Sequence, residues 1–357
     1  MKVLHINLIR PQEGSGDGIT EYAYQLRSCL SKTEGVSVEE IHAVGNSRKM
    51  NVRGLLYANT LFRLKIIGLA GSDYDIIHIT NQEIGFAAGI LRGCGFKGKI
   101  ITTIHDLIRI DGTSMRGIAQ GIYSGIVKNS IVSSLRNSDY LIFDSAQTER
   151  EVKRFTTHAP YEIIPLGVKT GFIAAPLKRK GKRGKYIIGY VGSLSQNKNV
   201  GMVLRAAEAC KEDAGFEFRI WGAGEENDIL RAYAARKGLK NIRFEGFAPE
   251  AKKRDIYDSF DLFMFPSFHE GFGLPILEAQ ARGLPVIIYK KGKITEEVRR
   301  YCFEADNPKQ MVDLITEIKD SGYEPKPRKR ALEYARSFRW EKTAIETLQI
   351  YRKVLTK

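Results

Sequence analysis

Cysteine is scarce in this chain, which has four in 357 residues. Cys29, Cys94, Cys210 and Cys302 form no C-x-x-C motif and no spacing that pairs them with histidine. The sequence therefore predicts neither a zinc site nor a disulfide framework. We expect four reduced thiols, most of them packed in the interior.

Long apolar runs are also missing. The longest are FAAGIL and PVIIY, far short of the roughly 20 residues that span a bilayer. The N-terminal run in MKVLHINLIRPQEG ends at Arg10 and lacks a small-residue cleavage site, which disfavours a signal peptide. We expect a cytoplasmic protein whose membrane contact, if any, is peripheral.

Acidic residues are fewer than basic ones, 41 against 56, which gives a net charge of +15. Part of the excess lies in 166–185, which contain seven basic residues and no acidic one. Nucleic-acid-binding surfaces usually interleave aromatic side chains with basic ones, but the cluster KRKGKRGK, residues 178–185, contains no aromatic residue. We therefore expect no nucleic-acid partner, with RNA binding kept as an alternative explanation of the cluster.

Short apolar runs alternate with helix-periodic segments along the whole chain. The helical pattern occupies 19–32, 146–156, 200–211 and 309–319. This alternation predicts parallel sheets built from βαβ units, once in each half, and hence an α/β fold. The strand-like runs are KVLHINLI, YDIIHI, KIITTI and YLIFDS, then YIIGYVG, FEFRIWG, DLFMFPS and PVIIY.

The two halves are separated by a stretch rich in glycine, proline and basic residues, a composition typical of an exposed linker. The last helical segment has an apolar stripe that something must cover. The predicted organisation is an N-terminal domain at 1–167, a basic linker at 168–185, a second domain at 186–337 and a C-terminal helix at 338–357.

The segment HEGFGLPILEAQARGLPVI places Glu270 and Glu278 around a glycine-rich turn. Pro275 suits the first turn of a helix, and amides at the start of a helix attract phosphate. Carboxylates would repel that phosphate, so their expected partners are hydroxyl groups on either side of it. The predicted ligand is a sugar, a diphosphate and a ribose in a row. A capped helix with two surface glutamates is the alternative.

The longer segment PSFHEGFGLPILEAQARGLPVI resembles the E-x7-E signature of retaining glycosyltransferases with the GT-B fold, specifically glycosyltransferase family 4 (glycosyl transferases group 1). Other segments follow in that family's order: YVGSLSQNKNV, FRIWGAGEE, NIRFEGF, YDSFDLFMFPS and FRWEKTAIETLQIYRKVL. The resemblance covers 186–357 and extends more loosely to the first half. It implies two Rossmann-like domains facing a cleft, with the C-terminal helix crossing back to the N-terminal domain.

The resemblance also implies roles for single residues. Glu270 would hold hydroxyls of the donor sugar and Glu278 the ribose. Lys198 would neutralise the leaving diphosphate, although a solvated lysine is the alternative when this residue is considered alone. Main-chain amides would meet the sugar and diphosphate at Gly271, Phe272, Gly273 and Leu274.

Ser193 departs from the family pattern, which commonly has arginine directly after the glycine at 192. One of two expected cations is therefore missing from the donor site. Either Lys198 carries more of the charge, or Arg205 or Lys240 substitutes for the missing arginine.

The nucleotide base is expected where the strands in WGAGEE and FEGF end, because open α/β sheets bind ligands at their carboxyl edge. The residues at these ends are Gly222, Gly224, Gly246 and Phe247. Their identity does not reveal which base is bound.

In the first half, EGSGDGITEYAYQL places a glycine-rich loop before a helix. A dinucleotide-binding fingerprint would need glycine at Ile19, so a dehydrogenase is disfavoured. The loop resembles the family's first loop, which lies beside diphosphate, donor sugar and acceptor, whereas a plain glycine turn is the alternative. The candidate residues are Gly14, Gly16, Asp17 and Gly18.

His105 and Asp106 follow the strand-like run KIITTI, at an edge where ligands gather. A lone histidine there is commonly structural, but the resemblance places His105 against the donor sugar near the reaction centre. The triplet 73–75 has the D-x-D form of a metal site, yet it precedes a strand instead of following one. We therefore expect solvated turn residues there and no metal site in the chain.

Two runs, 41–72 and 112–138, contain no acidic residue. Basic amphipathic segments of this kind bind anionic bilayer surfaces. Core-facing helices with solvated bases are the alternative. The basic residues of the two runs are Arg48, Lys49, Arg53, Arg63, Lys65, Arg116, Lys128 and Arg136.

The function expected from the resemblance is a retaining, metal-independent glycosyltransferase. It would move a hexose-type sugar from a UDP- or GDP-sugar to a glycan or lipid-linked acceptor at the inner membrane face, as in cell-surface polysaccharide or glycolipid synthesis. The nucleotide-sugar is a co-substrate, and no other cofactor is expected. The alternatives are a sugar-nucleotide epimerase of the same fold and a non-catalytic carbohydrate- or RNA-binding protein.

Overall fold

A computed structural model describes residues 1–11, 18–44, 60–107, 118–155, 159–173 and 184–356, with only the backbone at 118–123. The chain forms two compact units. Unit 1 comprises Met1–Gly167 with Trp340–Lys357, and unit 2 comprises Val168–Arg339.

Unit 1 is built on a six-stranded sheet of order β2-β1-β3-β4-β5-β6, in which every paired strand is parallel. Its central strands are rich in isoleucine and buried, as parallel sheets with helices on their faces require. The strands are β1 (Lys2–Ile9), β2 (Ser37–Val44), β3 (Ile76–Ile79), β4 (Lys99–Ile104), β5 (Tyr140–Phe143) and β6 (Tyr161–Ile163). The helices before the unit boundary are α1 (Gly18–Leu30), α2 (Leu61–Gly68), α3 (Phe86–Gly93), α4 (Ile118–Asn137) and α5 (Ala146–Val152).

Unit 2 has a second six-stranded parallel sheet, of order β12-β11-β10-β7-β8-β9. The strands are β7 (Tyr186–Val191), β8 (Phe216–Trp221), β9 (Ile242–Gly246), β10 (Leu262–Phe265), β11 (Val286–Tyr289) and β12 (Phe303–Ala305). The helices are α6 (Thr170–Ile173), α7 (Gly201–Ala209), α8 (Asn227–Arg236), α9 (Glu250–Asp258), α10 (Leu274–Ala281), α11 (Glu296–Arg299), α12 (Pro308–Ser321) and α13 (Pro325–Ser337). Each half of the chain therefore has the Rossmann-like parallel sheet predicted from the alternating pattern.

The last helix, α14 (Trp340–Leu355), packs in unit 1 against α1 and buries its apolar stripe there. A polar contact ties it to the sheet as well. The hydroxyl of Tyr351 lies 3.1 Å from Nε2 of His5 and 2.6 Å from Nδ1 of His78. The C-terminal helix thus completes the N-terminal unit.

The predicted linker begins too early. Val168 pairs with Arg339 in an isolated bridge, and Phe172, in α6, is buried. These residues belong to unit 2 because their side chains and main chain pack there, which the glycine- and proline-rich composition did not reveal. Residues 174–183 of the predicted linker lie outside the described residues.

Candidate active site

The sheet of unit 2 reverses its strand order between β7 and β10. From β7 the chain proceeds outward through β8 and β9, and from β10 it proceeds the other way through β11 and β12. Ligands of open α/β sheets bind beside the carboxyl ends of the strands at such a switch point. Lys198 lies on the loop after β7 and Glu270 on the loop after β10, so both predicted residues are at this point.

Lys198 and Glu270 form an ion pair. Nζ of Lys198 is 2.6 Å from Oε1 and 2.9 Å from Oε2 of Glu270, so it contacts both carboxylate oxygens. The lysine side chain is 20% exposed and the glutamate side chain 8% exposed. Charge-assisted hydrogen bonds of this length are strong when water is partly excluded. The structure therefore brings together two of the three residues predicted to be catalytic.

Two asparagines fix the lysine loop against the glutamate loop. Nδ2 of Asn197 donates to the carbonyl of His269 at 2.7 Å, and Nδ2 of Asn199 donates to the carbonyl of Pro266 at 3.1 Å. Asn199 has a φ of 52°, the left-handed conformation that asparagine tolerates better than most residues. These two residues were not predicted from the sequence, although their place on either side of Lys198 was an available signal.

A third loop, which follows β11, is hydrogen-bonded to the loop that carries Glu270. The Glu270 amide donates to the carbonyl of Lys293 at 2.9 Å, and the Lys293 amide donates to the carbonyl of Phe268 at 2.7 Å. Gly292 allows this approach, since a Cβ there would lie 2.3 Å from the carbonyl oxygen of Ser267. The glutamate loop is therefore held on both sides by main-chain and amide hydrogen bonds.

Helix α10 begins after Gly273, whose φ of +100° suits glycine, and Pro275 lies in its first turn as predicted. Phe272 is buried and its ring contacts that of Phe338 at 6.1 Å between centroids. Its side chain is thus part of the core, and only its main chain is left for the predicted role at the helix mouth.

Glu278 lies in the second turn of α10 and is buried. Its Oε2 accepts a hydrogen bond of 2.8 Å from the hydroxyl of Tyr257, and its Oε1 lies 3.6 Å from Nζ of Lys253. Burial raises the pKa of this carboxyl, while Lys253 and Tyr257 oppose the rise. The described side-chain partners of Glu278 are therefore on α9, whereas that of Glu270, Lys198, is on the loop after β7.

The glycines predicted to line the base-binding edge have a structural reason to be glycine. A Cβ on Gly222 would lie 1.9 Å from the carbonyl oxygen of Gly192, and one on Gly224 would lie 2.3 Å from that of Leu194. The loops after β7 and β8 therefore touch through their backbones. Gly246 ends β9 with a φ of +80°.

Phe247 follows at the same edge and is 40% exposed. Ser193, also at this edge, accepts a hydrogen bond of 2.8 Å from Tyr190 at its carbonyl, and its hydroxyl lies 3.3 Å from that of Ser195.

Lys240 precedes β9 and so lies at the amino-terminal edge of the sheet, opposite to the loops that carry Lys198 and Glu270. Its suggested role in place of the missing arginine is therefore wrong. Arg205 is exposed on α7, and its role stays a prediction.

His105, in unit 1, directly follows β4 and is 2% exposed. Its Nδ1 lies 3.2 Å from Oδ2 of Asp144, and its Nε2 lies 3.0 Å from the carbonyl oxygen of Thr80. The ring also meets that of Tyr22 edge-on, with centroids 4.7 Å apart. Because a carbonyl only accepts, Nε2 donates to Thr80, and an ionised Asp144 makes Nδ1 a second donor.

Burial lowers the pKa of His105, but the hydrogen bond and charge of Asp144, together with the Thr80 carbonyl and Asp106, outweigh it, so the net direction is upward. Both ring nitrogens are engaged by the protein. A hydrogen bond from the ring to a sugar would therefore require one of these bonds to break. The predicted contact of His105 with the donor sugar stays a prediction, and Asp144 is a partner that the sequence did not reveal.

The remaining candidates are the glycine-rich loop and the D-x-D triplet of the first half of the chain. Gly14, Gly16 and Asp17 lie outside the described residues, and Gly18 begins α1. Asp73 pairs with Lys2, and Asp75 accepts a hydrogen bond from the Lys2 amide at 2.7 Å. Both aspartates precede β3. Among the described residues, no group of three or more His, Cys, Asp or Glu side chains is arranged to hold a metal ion.

Two Rossmann-like sheets, one with an ion pair at its switch point, define the chain as a two-unit α/β protein. Sequence comparison identifies the family. The sequence model of the glycosyl transferases group 1 matches residues 175–338, and that of glycosyltransferase family 4 matches residues 18–172. The chain belongs to the family 4, group 1 glycosyltransferases, as the E-x7-E segment predicted.

Individual relatives agree with this assignment. The O-antigen chain mannosyltransferase B of Escherichia coli is 28% identical over 170 residues, which cover 46% of this chain and 45% of that protein. The chain thus spans less than half the length of this relative. The sucrose-phosphate synthase of Thermosynechococcus elongatus has a similar fold, with a TM-score of 0.83 at 19% identity over 100% of both chains.

A second similar structure is HepE of Anabaena in complex with UDP-glucose, with a TM-score of 0.73 at 16% identity over 99% of this chain and 100% of that chain. At these identities the likeness concerns the fold. Together the two structures confirm the predicted GT-B fold.

Proposed function

We propose that this chain is a retaining glycosyltransferase that moves a hexose-type sugar from a UDP- or GDP-sugar to a glycan or lipid-linked acceptor. The observation that carries the proposal is the ion pair of Lys198 and Glu270 at the switch point of the unit 2 sheet. It supplies one cation for a diphosphate and one carboxylate for sugar hydroxyls at a single place. The O-antigen mannosyltransferase and the UDP-glucose complex among the similar proteins support the proposed acceptor class and the proposed donor class.

Donor binding exchanges the partners of this pair. The ammonium group of Lys198 turns to the diphosphate, together with the amides at the start of α10, because both carry positive charge. The Glu270 carboxylate then accepts hydrogen bonds from the sugar. These positive groups stabilise the charge that develops on the leaving diphosphate, so the proposal includes no metal ion.

In the proposed reaction, the bond between the anomeric carbon and the phosphate oxygen breaks. The acceptor hydroxyl attacks from the same face, and its proton passes to the leaving phosphate oxygen. The configuration at the anomeric carbon is therefore retained without a protein nucleophile. His105 and the glycine-rich loop at 14–18 are the proposed contributions of unit 1 to the donor sugar and the acceptor.

The experiment incubates the protein with a UDP-hexose or a GDP-hexose, with and without a membrane lipid and glycan extract. Release of the nucleoside diphosphate and labelling of the extract by the sugar would support the proposal. Formation of an epimer of the nucleotide-sugar without extract would identify an epimerase instead. Binding of the nucleotide-sugar with no turnover in either condition would indicate a non-catalytic binding protein.

The acceptor would be reached at the inner face of a membrane, through α2 of unit 1. This helix exposes Leu61, Leu64 and Ile67 at 58%, 64% and 46%. Arg63 and Lys65 lie among them. Apolar side chains next to basic ones favour an anionic bilayer surface. Of the described helices, none is both long and apolar enough to cross a bilayer.

We expect the double substitution Arg63→Glu and Lys65→Glu to abolish salt-sensitive co-sedimentation with vesicles that contain phosphatidylserine. Each basic residue contributes on the order of 1 kcal/mol near such a surface, and reversal turns attraction into repulsion. The control is Lys32→Glu with Lys97→Glu, two exposed lysines outside α2. Equal co-sedimentation of the wild type and both double variants would refute the α2 contact.

A further inference from the structure

Glu278 is a buried carboxylate, and each of its two oxygens has one close partner among the residues that the structure describes. Oε2 accepts from the Tyr257 hydroxyl at 2.8 Å, and Oε1 lies 3.6 Å from Nζ of Lys253. A carboxylate oxygen has two acceptor positions. One acceptor position on each oxygen is therefore left over in this arrangement, which matches the two neighbouring hydroxyls of a ribose.

The two partners come from one face of α9. Residues four apart on a helix lie one above the other, so Lys253 and Tyr257 face α10 together. They place a cation and a neutral donor on opposite oxygens of the same carboxylate. The carboxylate plane is fixed by two contacts instead of one.

Both partners are themselves held. The Tyr257 ring is buried against the rings of Phe172 and Phe263, with centroids 5.5 and 5.3 Å away. Nζ of Lys253 lies 3.2 Å from Oε2 of Glu250, whose Oε1 is 2.6 Å from Nζ of Lys169. The result is a row of alternating charges that ends at Glu278.

The geometry points to Tyr257 and Lys253 as positioning residues that orient Glu278 to accept both ribose hydroxyls of the donor nucleotide. The inference rests on the proposed function, because it assumes a nucleotide donor at this site. It adds that the selectivity of the site for ribose over deoxyribose is set by side chains of α9 that do not touch the ligand.

The contribution of Tyr257 differs from that of an ordinary structural hydrogen bond. If Tyr257 and Lys253 only stabilised the fold, their loss would weaken the binding of all nucleotides by the same factor. If they orient Glu278, their loss would weaken the binding of ribonucleotides and leave the binding of deoxyribonucleotides nearly unchanged. The ratio of the two affinities therefore separates the two roles.

The test is calorimetry with UDP and GDP and with their 2′-deoxy and 3′-deoxy analogues, on the wild type, Tyr257→Phe, Lys253→Met and Glu278→Ala. For whichever nucleotide binds, we expect each deoxy analogue to bind the wild type about 10- to 100-fold more weakly, the scale of a hydrogen bond to a charged group. Tyr257→Phe and Lys253→Met should each reduce the ratio of the affinities for the nucleotide and its deoxy analogue by about fivefold or more. Glu278→Ala should bind the nucleotide and its deoxy analogue equally.

The matched control is Tyr233→Phe. Tyr233 also donates to a glutamate, Glu208, but this pair joins α7 and α8. The control should keep the wild-type ratio. Full discrimination in Tyr257→Phe and Lys253→Met, or none in the wild type, would overturn the inference. Absence of binding by every nucleotide to the wild type would instead contradict the proposed function. Lys253, which is 17% exposed, keeps the test usable if Tyr257→Phe does not fold.

Discussion

Replacing Glu270 or Lys198 by alanine lowers the turnover number of sugar transfer by at least about 100-fold, according to the proposed mechanism. Each residue stabilises charge or orients the sugar in the transition state, and the loss of one such contact costs a factor of about 100 to 1,000. The measurement is the rate of nucleoside diphosphate release at saturating donor. Because the two side chains touch at 2.6 Å, the effects of the two substitutions should not add.

Glu208→Ala and Lys237→Ala are the matched controls. These residues form another ion pair of unit 2, at 2.7 Å, but Glu208 lies in the last turn of α7 and therefore near the amino-terminal edge of the sheet. Their rates should stay within about twofold of the wild type. Near-normal rates in both Glu270→Ala and Lys198→Ala would show that the ion pair at the switch point is not the reaction site.

Asp144→Asn is expected to lower the pKa of His105 and to destabilise unit 1. The pKa of His105 is raised because Asp144, together with smaller contributions from the Thr80 carbonyl and Asp106, outweighs the effect of burial. Without the charge of Asp144, burial loses its main opponent and the pKa of His105 falls. A neutral ring keeps its one donor for the Thr80 carbonyl, and its Nδ1 can accept from the side-chain amide that the substitution introduces. A charge-assisted hydrogen bond is thereby replaced by a neutral one, which costs about 1 kcal/mol of unfolding free energy.

The pH dependence follows from the direction of that shift. A histidine whose folded pKa exceeds its unfolded value stabilises the fold below about pH 6.5, and this contribution is lost as the pH rises through the folded pKa. The difference in unfolding free energy between wild type and Asp144→Asn should therefore be larger at pH 6 than at pH 9. Ring carbon chemical shifts report the pKa of His105 directly.

Asp73→Asn is the control for this prediction, since it removes an exposed partner of Lys2 in the same unit. It should leave both the pKa of His105 and the unfolding free energy nearly unchanged. A pKa of His105 that is equal in wild type and Asp144→Asn would show that the two residues are not an ion pair in solution.

The inner strands of both sheets could be predicted from the sequence, but three of the four edge strands could not. Each of the eight apolar runs became an inner strand, and the edge strand β9 was expected in FEGF, whereas the other edges, β2, β6 and β12, were missed. An inner strand of a parallel sheet is covered on both faces and paired on both sides, so it is a continuous apolar run. An edge strand such as β6, YEI, is short, with two exposed residues and one half-buried residue.

The candidate site likewise combines residues that the sequence predicted with contacts that it did not predict. The E-x7-E segment could be found from local sequence, because its residue types and spacing are specific, and Lys198 was assigned from the resemblance to the family. Their direct contact joins residues 72 positions apart, and the contacts of Glu278 with Tyr257 and of His105 with Asp144 also join distant elements. Such contacts depend on which loops and helices become neighbours, which single-sequence patterns do not encode. Asn197, Asn199, Tyr257 and Asp144 were missed for this reason.

The most direct test of the central claim is a calorimetric titration of UDP and GDP into the wild type and Lys198→Ala. The account predicts that at least one of them binds the wild type and binds Lys198→Ala at least about tenfold more weakly, because a charge-assisted hydrogen bond to the diphosphate is lost. Equal affinity for the two proteins, or binding of neither nucleotide by the wild type, would contradict a diphosphate site between Lys198 and the start of α10.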